Sequence, residues 1–167
     1  MNNIDLIGDD ACVKQLVAGD FSNTNGVYID DRVEKIGGSA FYSCSNLTSV
    51  NFPAVTSIGV YAFRGCYALT SVGFPVATKI NGNAFQSCSH LTSLILRKSD
   101  SICTLSKANA FDSTPISSGT GYIYVPRALV DSYKAASNWS TYANQFRALE
   151  DYTVDGTITG ELDPSKI

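Results

Sequence analysis

Ile36-Gly-Gly-Ser-Ala-Phe41-Tyr-Ser-Cys44-Ser-Asn-Leu47-Thr-Ser-Val50 recurs as Ile58-Gly-Val-Tyr-Ala-Phe63-Arg-Gly-Cys66-Tyr-Ala-Leu69-Thr-Ser-Val72, then as Ile80-Asn-Gly-Asn-Ala-Phe85-Gln-Ser-Cys88-Ser-His-Leu91-Thr-Ser-Leu94. Each step is 22 residues. The apolar positions are held while the intervening ones vary. A fixed period of this size marks a solenoid, in which one repeat cannot bury its apolar side alone and must stack on its neighbours.

Within a repeat, Leu47, Val50 and Phe52 set the pattern of a strand, and Leu69, Val72, Phe74 and Leu91, Leu94, Leu96 repeat it. Alternation at period two turns Val50 and Phe52 inward with Leu47 and leaves Ser49 and Asn51 on the outer sheet surface. Pro53 and Pro75 follow the strands, where a missing backbone donor ends a ladder. The return segment must turn twice, and Ile36, Ala40 and Phe41, with their equivalents in the next two copies, anchor that side of the core. Stacking these groups, at about 1.5 to 3 kcal/mol for each buried side chain before entropy, is the main source of stability.

Outward from the repeats the pattern changes. Asp9 and Asp10 predict a helix cap for Ala11 to Ala18, and Val27-Tyr28-Ile29 reads as a first strand with Tyr28 level with Val50. Leu96 to Leu105 is an insertion, so Phe111 comes 26 residues after Phe85. Ile116 and the strand Ile123-Tyr124-Val125 read as a degenerate fourth repeat. From Pro126 the period becomes helical: Leu129, Val130 and Tyr133 form one apolar face, and Trp139, Tyr142, Phe146 and Leu149 predict a second helical piece. The expected division is an N-terminal cap at 1–26, a solenoid at 27–125, a helical cap at 126–151, and a tail or Asp155-Gly156 hairpin at 152–167.

Composition narrows the function. The chain has 167 residues, 44% of them hydrophobic and 16% charged, with a net charge of -3. It lacks the basic field that nucleic acid or an anionic membrane needs, so no nucleic-acid partner is expected. No run of ~18 apolar residues is present, so no membrane insertion is expected. The first ten residues carry Asp5, Asp9 and Asp10 where a secretory signal carries lysines, and no signal peptide is legible.

Of five cysteines, Cys44, Cys66 and Cys88 fall on the repeat period, and Cys12 and Cys103 lie outside it. A ladder of parallel side chains suits buried thiols better than disulfides. Zinc ligands must converge on one point, whereas a ladder spreads them along a line, and His90 is the single histidine. No metal and no cofactor is expected. His90 stands where Asn46 and Ala68 stand in the other copies, with no adjacent nucleophile and orienting group, so no enzyme is expected.

Binding is therefore the expected activity, through one of two surfaces. The strand face offers Ser49, Asn51, Ser71, Ser93, Ile95 and Arg97. The loop edge after the Ala-Phe pair offers Tyr42, Arg64 and Gln86, with Tyr61 and Tyr67, a more aromatic set of the kind enriched in interfaces.

The motif Ile-Gly-x-x-Ala-Phe-x-x-Cys-x-x-Leu-Thr-Ser-Val closely resembles the BspA-like leucine-rich repeats of bacterial surface proteins and of some phage and protozoan proteins. It covers residues 36–96 in three full copies and extends weakly through Phe111. Tyr124 to Lys134, with Asn138-Trp139-Ser140, is similar to the closing module that follows such repeats in gut bacterial proteins. The resemblance implies an α/β fold: a short right-handed leucine-rich-repeat solenoid with a parallel β-sheet, capped by short helices at both ends. It also implies an extracellular or cell-surface adhesion module that binds a protein or glycan ligand. The alternative is a structural or assembly subunit of a surface or phage structure, self-associating through the C-terminal tail.

Overall fold

The computed structural model describes residues 34–151 and the backbone of three short strands outside them, β1 (Gly26–Tyr28), β11 (Thr153–Val154) and β12 (Thr157–Ile158). The expected helix at 11–18 lies outside the described residues.

Each 22-residue copy contributes two strands. The short ones are β2 (Lys35–Ile36), β4 (Ser57–Ile58), β6 (Lys79–Ile80) and β8 (Thr104–Leu105), which pair in parallel in that order. The long ones are β3 (Ser49–Asn51), β5 (Ser71–Phe74), β7 (Ser93–Leu96), β9 (Tyr122–Val125) and β10 (Phe146–Ala148). β5, β7, β9 and β10 form one parallel sheet, and β1 pairs in parallel with β3. The single expected strand per copy is thus two strands, because the Ile-Gly segment also extends and pairs. Ile36, Ile58, Ile80 and Leu105 lie in register across the second sheet and are all buried.

Between the two strands the chain makes a third side out of turns. Ser39, Ser43, Tyr61, Asn83, Ser87 and Ser113 adopt the left-handed conformation with φ between 58 and 63°, and Gly65 joins them at 77°. These reversals sort the backbone amides. Alternate N–H groups close their own turn, as Ala40 N to the Gly37 carbonyl, Tyr42 N to Ser39 and Cys44 N to Phe41. The others donate to the next copy: Ser39 N to Val60, Phe41 N to Ala62 and Ser43 N to Arg64. Phe63 N to Ala84, Phe85 N to Ala110 and Ser87 N to Asp112 continue the ladder. Every backbone donor named here is satisfied, as burial requires.

The copies approach so closely that Gly59 leaves no room for a side chain. A Cβ there would lie 2.6 Å from the Gly37 carbonyl carbon and the Gly38 nitrogen.

The core is a set of columns. Phe41, Phe63, Phe85 and Phe111 stack with ring centroids 5.1, 5.2 and 5.5 Å apart and planes within 3° of parallel. Phe52 and Phe74 form a second stack that meets the first edge-on. The period-22 cysteines Cys44, Cys66 and Cys88 are all buried. Cys66 Sγ donates to the Phe41 carbonyl at 3.1 Å and Cys88 Sγ to the Phe63 carbonyl at 3.0 Å. After the insertion their column ends in Thr114, which is 3% exposed and caps the short helix Pro115–Ser118 through a reciprocal pair with Ser117.

The C-terminal segment closes the last coil with polar atoms as well as rings. Trp139 Nε1 donates to the Cys103 carbonyl at 2.7 Å, Asn138 Nδ2 to the Leu105 carbonyl at 2.8 Å, and the Tyr142 hydroxyl to the Ala108 carbonyl. The Cys103 amide donates to the Tyr133 hydroxyl at 2.7 Å. Trp139 and Tyr142 pack on Phe111 at the end of the ring stack.

Three expectations need correction. The second helical piece is a 3-10 segment, Trp139–Gln145, followed by β10, so Phe146 is a strand residue and Leu149 opens a separate turn. Phe146 stands in register with Ile123, and the sheet therefore runs one strand beyond the expected last one, β9. A run of aromatic residues at spacings of three and four satisfies a helix pattern locally, but here the open sheet edge recruits the segment. At the other end Val27, not Tyr28, faces Val50, because the link from β1 to β2 is one residue longer than that from β3 to β4. The strands β11 and β12 pair antiparallel, Thr153 with Ile158 and Val154 with Thr157.

Candidate functional site

The two expected surfaces are not equally open. On the strand face Ser71, Ser93 and Arg97 are half-buried, and Ile95 is 1% exposed. Its expected place on an open surface is thus corrected. In register it lies between Gly73 on β5 and Tyr124 on β9, whose half-buried ring is the large group beside it. Ser71 Oγ and Arg97 Nε are buried there without a hydrogen-bond partner. Ser49 and Asn51 occupy β3.

The loop edge is the open surface. Tyr42 is 43% exposed, Tyr61 38% and Tyr67 51%, and Val60 joins them at 44%. Sequence reasoning missed Val60. Its signal is that a branched apolar residue stands where the neighbouring copies carry Gly38 and Gly82.

Three of the expected residues meet. Arg64 follows Tyr42 in one column of the turn ladder, and its Nη1 donates to the Tyr42 hydroxyl at 2.8 Å. Its guanidinium carbon lies 5.6 Å from the ring centroid of Tyr42 and 5.6 Å from that of Tyr61. Both separations are within cation–π range. Gln86, the next residue in the column, turns aside and accepts from Asn83 Nδ2 at 3.0 Å. Tyr67 does not join the cluster; its carbonyl oxygen lies 2.8 Å from His90 Nδ1.

Tyr61 is unusual in its backbone. It sits at φ 60° where the copies on either side place Ser39 and Asn83. Serine and asparagine are small or bond locally, whereas a bulky L-residue in this region costs about 1–2 kcal/mol. The ring contact with Arg64, worth about 0.5–1 kcal/mol at an exposed site, offsets part of that cost.

Chemically the edge can stack, donate hydrogen bonds and attract an anion. Among the described residues no three His, Cys, Asp or Glu side chains are placed to hold a metal ion.

The recurring Ile-Gly, Ala-Phe and Cys positions that build these columns are what a family comparison reads. The family model for the BspA type leucine rich repeat region matches residues 18–125 in six copies. The chain belongs to that family. The BspA-type match begins ahead of the three full copies legible by eye and runs through β9. A solved leucine rich repeat protein of T. pallidum, TpLRR, is similar at 20% identity with a TM-score of 0.48. The similarity covers 61% of this chain and 58% of that one, so this BspA-type chain matches less than two thirds of that protein's length. No curated protein matches the chain.

Proposed function

We propose that this BspA-type chain is a non-enzymatic, adhesion-type binding module of a bacterial surface, and that it captures a protein partner at the loop edge formed by Tyr42, Val60, Tyr61, Arg64 and Tyr67. Leucine-rich repeats generally serve protein interaction, and BspA-type repeats are typical of surface-associated bacterial proteins. The observation that carries the reading is the clustering of exposed apolar groups. Four of the five large apolar side chains exposed among the described residues are Tyr42, Val60, Tyr61 and Tyr67, all in the turns of two adjacent copies, while Ile95 on the strand face is closed. Tyrosine and arginine are the residue types that dominate binding energy at interfaces.

The test is retention of purified matrix and bacterial surface proteins, and in parallel of glycans, on the immobilised full chain. Protein retention that the double substitution Tyr42→Ala, Tyr61→Ala reduces at least tenfold, with Tm unchanged, supports the reading. Retention indifferent to that pair, or confined to glycans, overturns it.

A further inference from the structure

We propose that Tyr42, Arg64 and Tyr61 form a preformed clamp for a carboxylate side chain on an acidic segment of the protein partner. The proposal rests on the recognition reading above and adds the chemistry of what is recognised.

Arg64 is the basis. A guanidinium carries five N–H donors in a planar fork. Here, among the described residues, only Nη1 has a hydrogen-bond acceptor, the Tyr42 hydroxyl, and no carboxylate lies within ion-pair distance of Arg64. Among the described residues, Lys98 is drawn into an ion pair with Asp100 and Arg127 into one with Asp151. Arg64 is instead held by two rings, each 5.6 Å from its guanidinium carbon. These contacts favour one side-chain geometry before any ligand arrives, which lowers the entropic cost of binding.

Among the described residues the charge is left uncompensated. Along the same column towards the C-terminus the next residue is the neutral Gln86, and the first acid is Asp112, two rungs from Arg64 or about 10 Å at the usual strand spacing. That distance is about one Debye length at physiological salt, so Asp112 neutralises little of the charge.

The shape favours a carboxylate on a protein. A planar fork beside two tyrosine rings suits a bidentate carboxylate, whereas a phosphate site gathers several cations. The flanking exposed groups, Val60 and Tyr67, are apolar or aromatic and suit the side chains beside an acidic residue. Tyr61 keeps its ring at this spot in a strained backbone conformation that Asn83 and Ser39 occupy with ordinary residues for it.

The experiment uses the full chain and an array of ten-residue peptides with a central Asp or Glu flanked by apolar residues, matched to copies with Asn or Gln. Sialylated and uronate glycans form a second arm. The expected result is at least tenfold preference for the acidic peptides, weakening with salt and abolished by Arg64→Gln. Tyr61→Asn should weaken binding about tenfold with Tm unchanged or higher, which separates the ring's role in binding from any role in folding. Equal retention of acidic and amide peptides, retention of none up to about 1 mM, or preference for the acidic glycans overturns the clamp. If Arg64→Gln leaves capture of a protein partner intact while Tyr42→Ala with Tyr61→Ala abolishes it, the carboxylate inference fails and the recognition reading stands. If neither substitution matters, both fail.

Discussion

At the scale of single residues the repeat is governed by how closely two backbones can lie. Gly59 sits with no space for a Cβ against Gly37 and Gly38, whereas a Cβ at Gly38 would meet only the Val60 carbonyl, at 3.4 Å. Gly59→Ala is therefore expected to cost about 1–3 kcal/mol by overpacking, and Gly38→Ala to be nearly neutral. Thermal unfolding of the two variants beside the parent checks this, and equal Tm values would contradict it. Asn81 occupies the Gly59 position in the next copy by another route, its Nδ2 donating to the Ile58 carbonyl at 2.8 Å. The glycine was visible in the sequence as part of the Ile-Gly motif. The pairing of Tyr61 with Arg64 was not, because residues three apart in a turn meet only when the intervening φ values are known.

At the scale of elements, the closing segment shows how an open solenoid end is finished. In the short-strand sheet each coil's carbonyls accept from the following coil, so the last coil leaves the Cys103 and Leu105 carbonyls with no following repeat to meet them. Trp139 Nε1 and Asn138 Nδ2 take up those two, and the Tyr142 hydroxyl bonds the Ala108 carbonyl of the turn. Trp139→Phe keeps a ring on Phe111 and orphans the Cys103 carbonyl, for an expected loss of about 1–3 kcal/mol; Trp139→Ala also removes the packing, for about 3–5 kcal/mol. Because stability propagates between neighbours, amide exchange in Trp139→Phe should accelerate more at Thr104 and Ser106, which donate to the Thr78 and Ile80 carbonyls, than at Thr78 one coil back. Uniform acceleration would show that the cap acts on the whole molecule instead. The aromatic spacing of Trp139, Tyr142 and Phe146 was legible and its helical reading was half right. A strand was needed at Phe146 because β9 offered an unpaired edge, a fact that exists only once β9 is in place.

At the scale of the whole molecule, the core is a continuous column of rings and neutral thiols, and it has a consequence for pH. Burial pushes the Cys103 thiol up to about 12 from the usual 9.0. Cys66 is raised by the neighbouring Cys88 thiol and then by burial, and the Tyr133 hydroxyl is raised by burial. A raised folded value means the unfolded chain loses its proton first, so this stability is complete below about pH 9 and is lost as pH climbs towards 12. Cys103 alone sets a slope of about 1.4 kcal/mol per pH unit across that window. Urea midpoints should stay level from about pH 6 to 8.5 and fall steadily above 9; a level midpoint at about pH 11 would contradict the burial of these groups. The sequence by itself determined the period, the stacking, the buried cysteine ladder and the family, because each depends on residue identity recurring at a fixed step. Only the tertiary structure decided the second sheet, the strand at Phe146, the closure over Ile95 and the clamp around Arg64. These depend on which neighbours a coil acquires, and that is set by chain packing rather than by the spacing of residues along it.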